Sequence, residues 1–235
     1  MKELARKKKQ NTSNQRNLVK WTDQKSPVSE QYRTIRTNIQ YASVEREMQT
    51  ILITSPGPGE GKSTTVANLG ITMAQQGKRT LIIDADLRKP TVHYTFQTMN
   101  IHGLTNVLTH QSRFVDVVQK TEVDNLHIIT SGPIPPNPAE LLSAKKMEQI
   151  LVESKQEFDV ILFDAPPVLP VTDAQVLAAN CDGSILVIKS GQTDKQAGLK
   201  AKELLEKADA SILGTVLNQR KALQQQYYYY YGKSL

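Results

Sequence analysis

Residues Thr54–Thr64 read TSPGPGEGKST. Gly57, Gly59 and Gly61 leave the backbone free to turn its N–H groups onto phosphate oxygens, with no Cβ in the way. The residues around them suit the same ligand: Glu60 and Thr64 complete the loop, the Lys62 ammonium reaches β- and γ-phosphates, and the Ser63 hydroxyl ligates Mg²⁺. The strict phosphate-loop pattern asks for glycine six positions before the lysine, where this chain has Pro56, so the match is relaxed. Two other stretches, LIIDADLR and VILFDAPP, end apolar runs in carboxylates: Asp84 and Asp86 in the first, Asp164 in the second. A Mg²⁺-nucleotide site needs hard oxygens that bind the ion or hold its waters. It also needs a base for the incoming nucleophile. The competing reading is that these aspartates cap turns. Arg88 either pairs with one of them or with a phosphate, or lies on the surface. ATP and Mg²⁺ are therefore the expected ligands.

Such groups have to be held by elements that end at one place. Thr50–Thr54 (TILIT), Thr80–Asp84, Leu126–Thr130, Asp159–Asp164, Ser184–Lys189 and Ile212–Leu217 read as short, β-branched, unalternated strands. Helical patterns lie between several of them, at Gly61–Gln76 with Gly77 as its stop, at Ala139–Ser154 and at Lys195–Ala208. The expectation is an α/β fold of the P-loop NTPase type, a mostly parallel sheet flanked by helices on both faces. Ligands of such sheets bind at the carboxyl ends of the strands, where the loop and all three aspartates fall. A further helix, about Ser29–Tyr41, precedes the first strand. The segment 132–138 (GPIPPNP) is a proline-held loop.

The 235 residues suffice for one large α/β domain, here 26–220. Residues 1–25 read as a disordered basic arm and 221–235 as a flexible tyrosine-rich tail. No apolar run reaches the roughly 20 residues of a membrane span, and the basic N-terminus has no apolar stretch behind it, so it is not a secretory signal. The lone Cys181 cannot form an internal disulfide, which fits a reducing cytoplasm. Seven basic residues against Glu3 in the first 20 account for the whole formal charge of +6. The arm is either a solubilising tail or a device for an anionic membrane face or acidic partner. No recognition motif follows it, so nucleic acid is not expected. His93, His102, His110 and His127 lack metal-ligand spacing.

With these motifs in order, the chain resembles the bacterial tyrosine kinases, P-loop kinases associated with capsule and exopolysaccharide export. TSPGPGEGKST looks like their Walker A loop, LIIDADLR like their Walker A′ motif and VILFDAPP like their Walker B motif. Glu30, Arg33 and Arg36 form E-x-x-R-x-x-R, like the motif through which family members assemble into rings. The resemblance implies that Lys62 binds phosphates and Ser63 holds Mg²⁺. It implies that Asp84, Asp86 and Asp164 form the metal shell, with Asp86 as the base for a phenol proton. Asn218 resembles a residue that reads adenine in related ATPases; a turn asparagine is the plainer reading. Partition and septum-site ATPases share the fold but carry a further lysine in the first half of the loop, and TSPGPGEG has none. The resemblance also implies a split form with a separate transmembrane modulator, a cognate phosphatase, protein substrates, and a cytoplasmic chain recruited to the inner face of the plasma membrane.

Tyr227, Tyr228, Tyr229, Tyr230 and Tyr231 are five consecutive tyrosines, out of eight in the chain. Neighbouring side chains of such a run cannot share one core. Beside the kinase resemblance all five read as phosphorylation sites, modified by a neighbouring subunit of a homo-oligomeric ring; a sticky partner-binding patch is the competing reading. Glu30 and Arg33 are helical neighbours and could simply pair locally. Two other functions remain open at this level: an ATP-hydrolysing partition-type switch, and a nucleotide-binding scaffold without activity.

Overall fold

The computed structural model describes Leu18 and residues 26–42 and 48–220. The basic arm, apart from Leu18, lies outside the described residues. So does the tail, and with it every expected phosphorylation site: Tyr227, Tyr228, Tyr229, Tyr230 and Tyr231. The helix α1 (Pro27–Ala42) comes first, followed by β1 (Thr50–Thr54), α2 (Lys62–Ala74) and β2 (Thr80–Asp84). Three short helices follow, α3 (Val92–Phe96), α4 (Leu104–Leu108) and α5 (Phe114–Val117), then β3 (Gln119–Lys120) and β4 (Leu126–Ile129). The chain continues through α6 (Pro138–Leu142), α7 (Lys145–Glu157), β5 (Val160–Asp164) and α8 (Asp173–Ala178). It ends in β6 (Gly183–Lys189), α9 (Lys195–Lys207) and β7 (Ile212–Asn218).

The strands form one sheet in the order β3-β4-β2-β5-β1-β6-β7. All pairs are parallel except β3 with β4. The P-loop type of sheet expected from the unalternated strands is thus present, with an added antiparallel edge. The central strands are buried along their whole length, and side chains of one strand feed two separate cores because the strand period is two. Leu52, Leu81, Ile83, Ile161 and Phe163 pack on one face with residues of α4 to α9. Ile51, Ile53, Ile82, Ile128 and Leu162 pack on the other with α2 and α1. Gly70 lets α2 approach that face: a Cβ there would meet Ile82 Cδ1 at 2.6 Å.

The connection from β1 runs to β2 on one side, and that from β5 runs to β6 on the other, although β1 and β5 are neighbours. Their carboxyl ends therefore flank a crevice at a reversal of winding, where α/β sheets bind ligands.

Two boundaries differ from the sequence expectation in an instructive way. The expected helix Ala139–Ser154 is broken into α6 and α7 by Ala144, which is extended at φ −72°, ψ 150°. Leu142 and Met147 are both core residues. One continuous helix would hold them about 140° apart around its axis, so the break lets both face the same core. The expected helix Gly61–Gln76 runs only over Lys62–Ala74, and Gly77, at φ 85°, closes it by donating to the Ala74 carbonyl. The helices α3, α4, α5 and α8 are too short for a 3.6-residue period to show in the sequence.

Candidate functional site

The phosphate loop leaves β1 and enters α2 at Gly61, which holds φ 94° and ψ 17°. That left-handed conformation favours glycine, and space demands it as well: a Cβ at Gly61 would lie 1.9 Å from Asn218 Nδ2. Asn218, at the end of β7, donates that Nδ2 to the Glu60 carbonyl at 2.9 Å, and its Oδ1 accepts from the Gln219 N–H. Asn218 is thus seated on the loop backbone. Glu60 is nearly buried, and its Oε1 accepts the Gly57 N–H at 3.0 Å. The loop is therefore cross-tied before any ligand arrives.

A cavity of about 360 Å³ opens above it, lined on the loop side by Gly59, Gly61, Lys62, Ser63 and Thr64 and on the facing side by Asp86. Lys62 Nζ lies 2.9 Å from Asp86 Oδ2, 3.4 Å from Asp164 Oδ1 and 3.4 Å from Ser63 Oγ. Burial alone pulls the Lys62 ammonium down, but the Asp164 and Asp86 carboxylates outweigh it and hold its pKa above the ordinary lysine value. Lys62 is a charged cation here.

The parallel register pairs Asp84 with Asp164 on adjacent strands. Both are fully buried. Burial first, and the Asp164 charge second, push the Asp84 carboxyl up to about 7. Asp84 Oδ2 nevertheless accepts the Thr91 and Val92 N–H groups, each at 2.9 Å, and Oδ1 accepts the Asp86 N–H at 3.3 Å. Asp84 thus organises the loop after β2, while Asp86 faces the cavity and Asp164 lies beneath it. Asp164 Oδ2 is buried without a hydrogen-bond partner. A buried, unsatisfied carboxylate oxygen is costly, and it suits a cation or a cation's water.

Among the described residues no three acidic, histidine or cysteine side chains converge to cage a metal by themselves. Mg²⁺ does not require such a cage: it binds through one or two protein oxygens, substrate phosphates and retained waters. Ser63 Oγ and the free Asp164 oxygen fit that role, and the excess of carboxylates over Lys62 favours a divalent cation.

Arg88 is tied to an aspartate that the sequence did not single out. Its Nε and one terminal nitrogen donate to Asp173 Oδ2 and Oδ1, both at 2.9 Å. Asp173 is completely buried at the start of α8. Its position after VT, before a helix too short for a period to show, was the only available signal. The backbone donors of Thr91 and Val92 carried none.

Glu30, Arg33 and Arg36 all lie on α1 as expected. Glu30 and Arg33 form an ion pair within the helix, with side chains half and one-third exposed. Arg36 donates to the Thr72 carbonyl of α2 at 3.2 Å, so it is turned into its own subunit. Cys181 is buried, and burial drives its thiol well above the ordinary range.

Comparison with known proteins places these features in context. A family model described as an AAA domain matches residues 48–209. The chain is 52% identical over 218 residues to tyrosine-protein kinase YwqD of Bacillus subtilis, covering 93% of this chain and 92% of that one. The crystal structure of the chimerical protein CapA2B2 superposes with a TM-score of 0.82 at 42% identity, over 84% of this chain and 87% of that one. The kinase domain of Escherichia coli tyrosine kinase ETK gives 0.81 at 31% identity, over 93% and 87%.

Proposed function

The chain belongs to the bacterial tyrosine-protein kinases, and from that premise we propose that it transfers the γ-phosphoryl group of ATP to the tyrosines of its own C-terminal run. The acceptors are Tyr227, Tyr228, Tyr229, Tyr230 and Tyr231, each copy presenting its tail to a neighbour. The observation that carries the chemistry is the sharing of the Lys62 ammonium between Asp86 and Asp164 beneath the phosphate loop. Incoming phosphates compete for that ammonium. As Lys62 turns to them, Asp86 loses its counter-charge and becomes a free carboxylate at the cavity wall.

Asp86 is then the base. The phenol oxygen forms a bond to the γ-phosphorus, its proton passes to the Asp86 carboxylate, and the bond to the β–γ bridging oxygen breaks with its electron pair leaving on ADP. Gly57, Gly59, Glu60, Gly61 and Thr64 supply the loop that seats the phosphates; Lys62 supplies positive charge. Ser63 and Asp164 would hold Mg²⁺, which would supply neutralisation of phosphate charge, while Asp84 fixes the loop that carries Asp86. Catalysis on this account is positioning and charge neutralisation. Asn218 serves as a brace for the loop.

The same reading assigns the chain to control of capsule or exopolysaccharide synthesis. It works at the inner membrane face beside a separate transmembrane modulator, a tyrosine phosphatase and further protein substrates. Among the described residues no helix is long and apolar enough to cross a membrane; the seven basic residues among the first 20 support attraction to an anionic surface.

Incubation with Mg²⁺ and γ-labelled ATP, followed by mapping of the label, tests this. Label is expected on Tyr227–Tyr231 and is lost in Lys62→Met. Free phosphate as the sole product would mean that water is the acceptor and would overturn the reading. Mixing Lys62→Met with a tail-deleted active chain should restore label to the tail of the mutant if transfer is intermolecular.

A further inference from the structure

The phosphate cavity has a second cation on its wall. Lys89 lines it opposite the loop. Unlike Lys62, its ammonium has no carboxylate within ion-pair distance among the described residues, whereas Lys62 is shared by two. The residue is also held in position by its backbone. The Lys89 N–H donates to Asp86 Oδ1 at 3.0 Å, and two and three residues further on the Thr91 and Val92 N–H groups are gripped by Asp84 Oδ2. Pro90 fixes the backbone between these anchors. The carboxylates of this segment thus fix the Lys89 Cα at the cavity rim, while the side chain stays exposed and uncommitted.

We propose that Lys89 is a further catalytic residue, a second lysine that contacts the γ-phosphoryl group of bound ATP from the wall opposite the phosphate loop. The proposal deepens the kinase reading and rests on it for the transfer step. Lys62 stands between Asp86 and Asp164, and part of its charge is already balanced there. A triphosphate carries more negative charge than one lysine neutralises, and beyond Lys62 and the Mg²⁺ that Ser63 and Asp164 would hold, the same cavity is lined by an ammonium that no carboxylate balances. During transfer the phenol oxygen bonds to the γ-phosphorus, its proton goes to Asp86, and the electron pair of the broken bond leaves on ADP. Lys89 takes no proton in this step; it offsets the charge on the group being moved. It also sits three residues from the base, so its ammonium can lower the cost of bringing a tyrosine oxygen toward a crowd of carboxylates and phosphates.

The size of the effect is bounded from both sides. A cation in a water-excluded site is worth about a hundredfold or more in rate when removed, and an ordinary surface pair is worth a few-fold at most. An exposed lysine at a cavity rim falls between, at about tenfold.

The test uses the full chain with Lys89→Ala and Lys89→Arg. Neither change removes the Lys89 N–H or any side-chain hydrogen bond, so both variants keep the loop. Binding of fluorescent ATP and ADP is measured with Mg²⁺ present, together with the rate of tail labelling. In Lys89→Ala the affinity for ATP should fall about tenfold with that for ADP unchanged, and labelling should slow by at least as much. Lys89→Arg should keep most of the preference for ATP over ADP. An unchanged preference in Lys89→Ala, or equal losses for ATP and ADP, would overturn the proposal. The binding arm reads Lys89 even if wild-type chain labels no tyrosine, an outcome that would instead sink the kinase assignment of the tail.

Discussion

Asp84 shows how the site trades stability for function at the level of one residue. Most surface carboxylates stabilise a fold when ionised. Asp84 does the opposite: burial and the neighbouring Asp164 raise its folded-state pKa to about 7, from an ordinary unfolded value near 3.8. The folded chain therefore holds the proton more tightly than the unfolded chain between those values. Its contribution is fully favourable below the unfolded pKa and is lost as pH rises toward 7. The loss is on the order of 2–4 kcal/mol by about pH 8, shared with Asp164 because the two interact. Asp84→Asn should therefore be more stable than wild type at pH 8 in urea denaturation, with the gap closing toward pH 5. A gap that does not vary with pH would contradict this. The amide keeps an oxygen for the Thr91 and Val92 N–H groups but offers an N–H₂ where Asp86 N–H needs an acceptor. Tail labelling in this variant should fall at least tenfold, because Asp86 loses its fixed position. Lys62→Met sits at the same scale. It should abolish labelling and leave two carboxylates without their buried partner, lowering stability by about 2–4 kcal/mol.

Between elements, the Arg88–Asp173 fork joins the loop after β2 to the start of α8, and its two ends are not equivalent. Asp173 is wholly buried, whereas Arg88 is about 40% exposed at its side chain. Removing the arginine strands a carboxylate in the interior, and removing the aspartate releases an arginine that can turn to water. Arg88→Ala should therefore cost more stability than Asp173→Asn, by about 1–2 kcal/mol in denaturant titrations. Arg88→Lys should fall between, since an ammonium cannot make both bonds of the fork. Equal losses from the two truncations would mean that the pair is a surface contact. This fork also marks the limit of what the sequence could reveal. The loop, the three aspartates and the parallel strands were readable because each is a local pattern, a glycine spacing or an apolar run ending in a carboxylate. Arg88 alone was ambiguous, because its partner lies 85 residues away. The division of labour among Asp84, Asp86 and Asp164 was likewise hidden, since it depends on which carboxylate the Thr91 and Val92 N–H groups occupy. The break at Ala144 escaped because tertiary packing of Leu142 and Met147 overrides a helical pattern that runs through both, and the four short helices escaped because none is long enough to show a 3.6-residue period.

At the scale of the assembled molecule, the free side of α1 and the tyrosine tail together suggest a switch. Helix α1 buries only Ser29, Tyr32 and Ile39, so most of its surface is available to a neighbour. Glu30 and Arg33 lie on the exposed part, while Arg36 ties the helix to α2. A head-to-tail contact through such a helix closes into a ring when the rotation permits. Beyond the first 20 residues the chain is formally neutral. Phosphorylation of all five tyrosines would add roughly −8 to −10 per subunit at one point. Screening at physiological salt confines that field to about 8 Å, so the repulsion acts where a tail sits in a neighbour's carboxylate-lined site and not between whole bodies. Phosphorylated tails should leave those sites and the ring should open. Light scattering should give a larger particle for phosphatase-treated chain than for phosphorylated chain. Raising the salt to about 0.5 M should recover part of the larger species if charge is the cause. The double variant Glu30→Ala, Arg33→Ala should stay small in either phosphorylation state, and should keep nucleotide binding because neither residue touches the cavity. A phosphorylated wild type as large as the treated one would remove the switch. A double variant that still assembles would instead move the ring contact away from α1 and leave the tail chemistry intact.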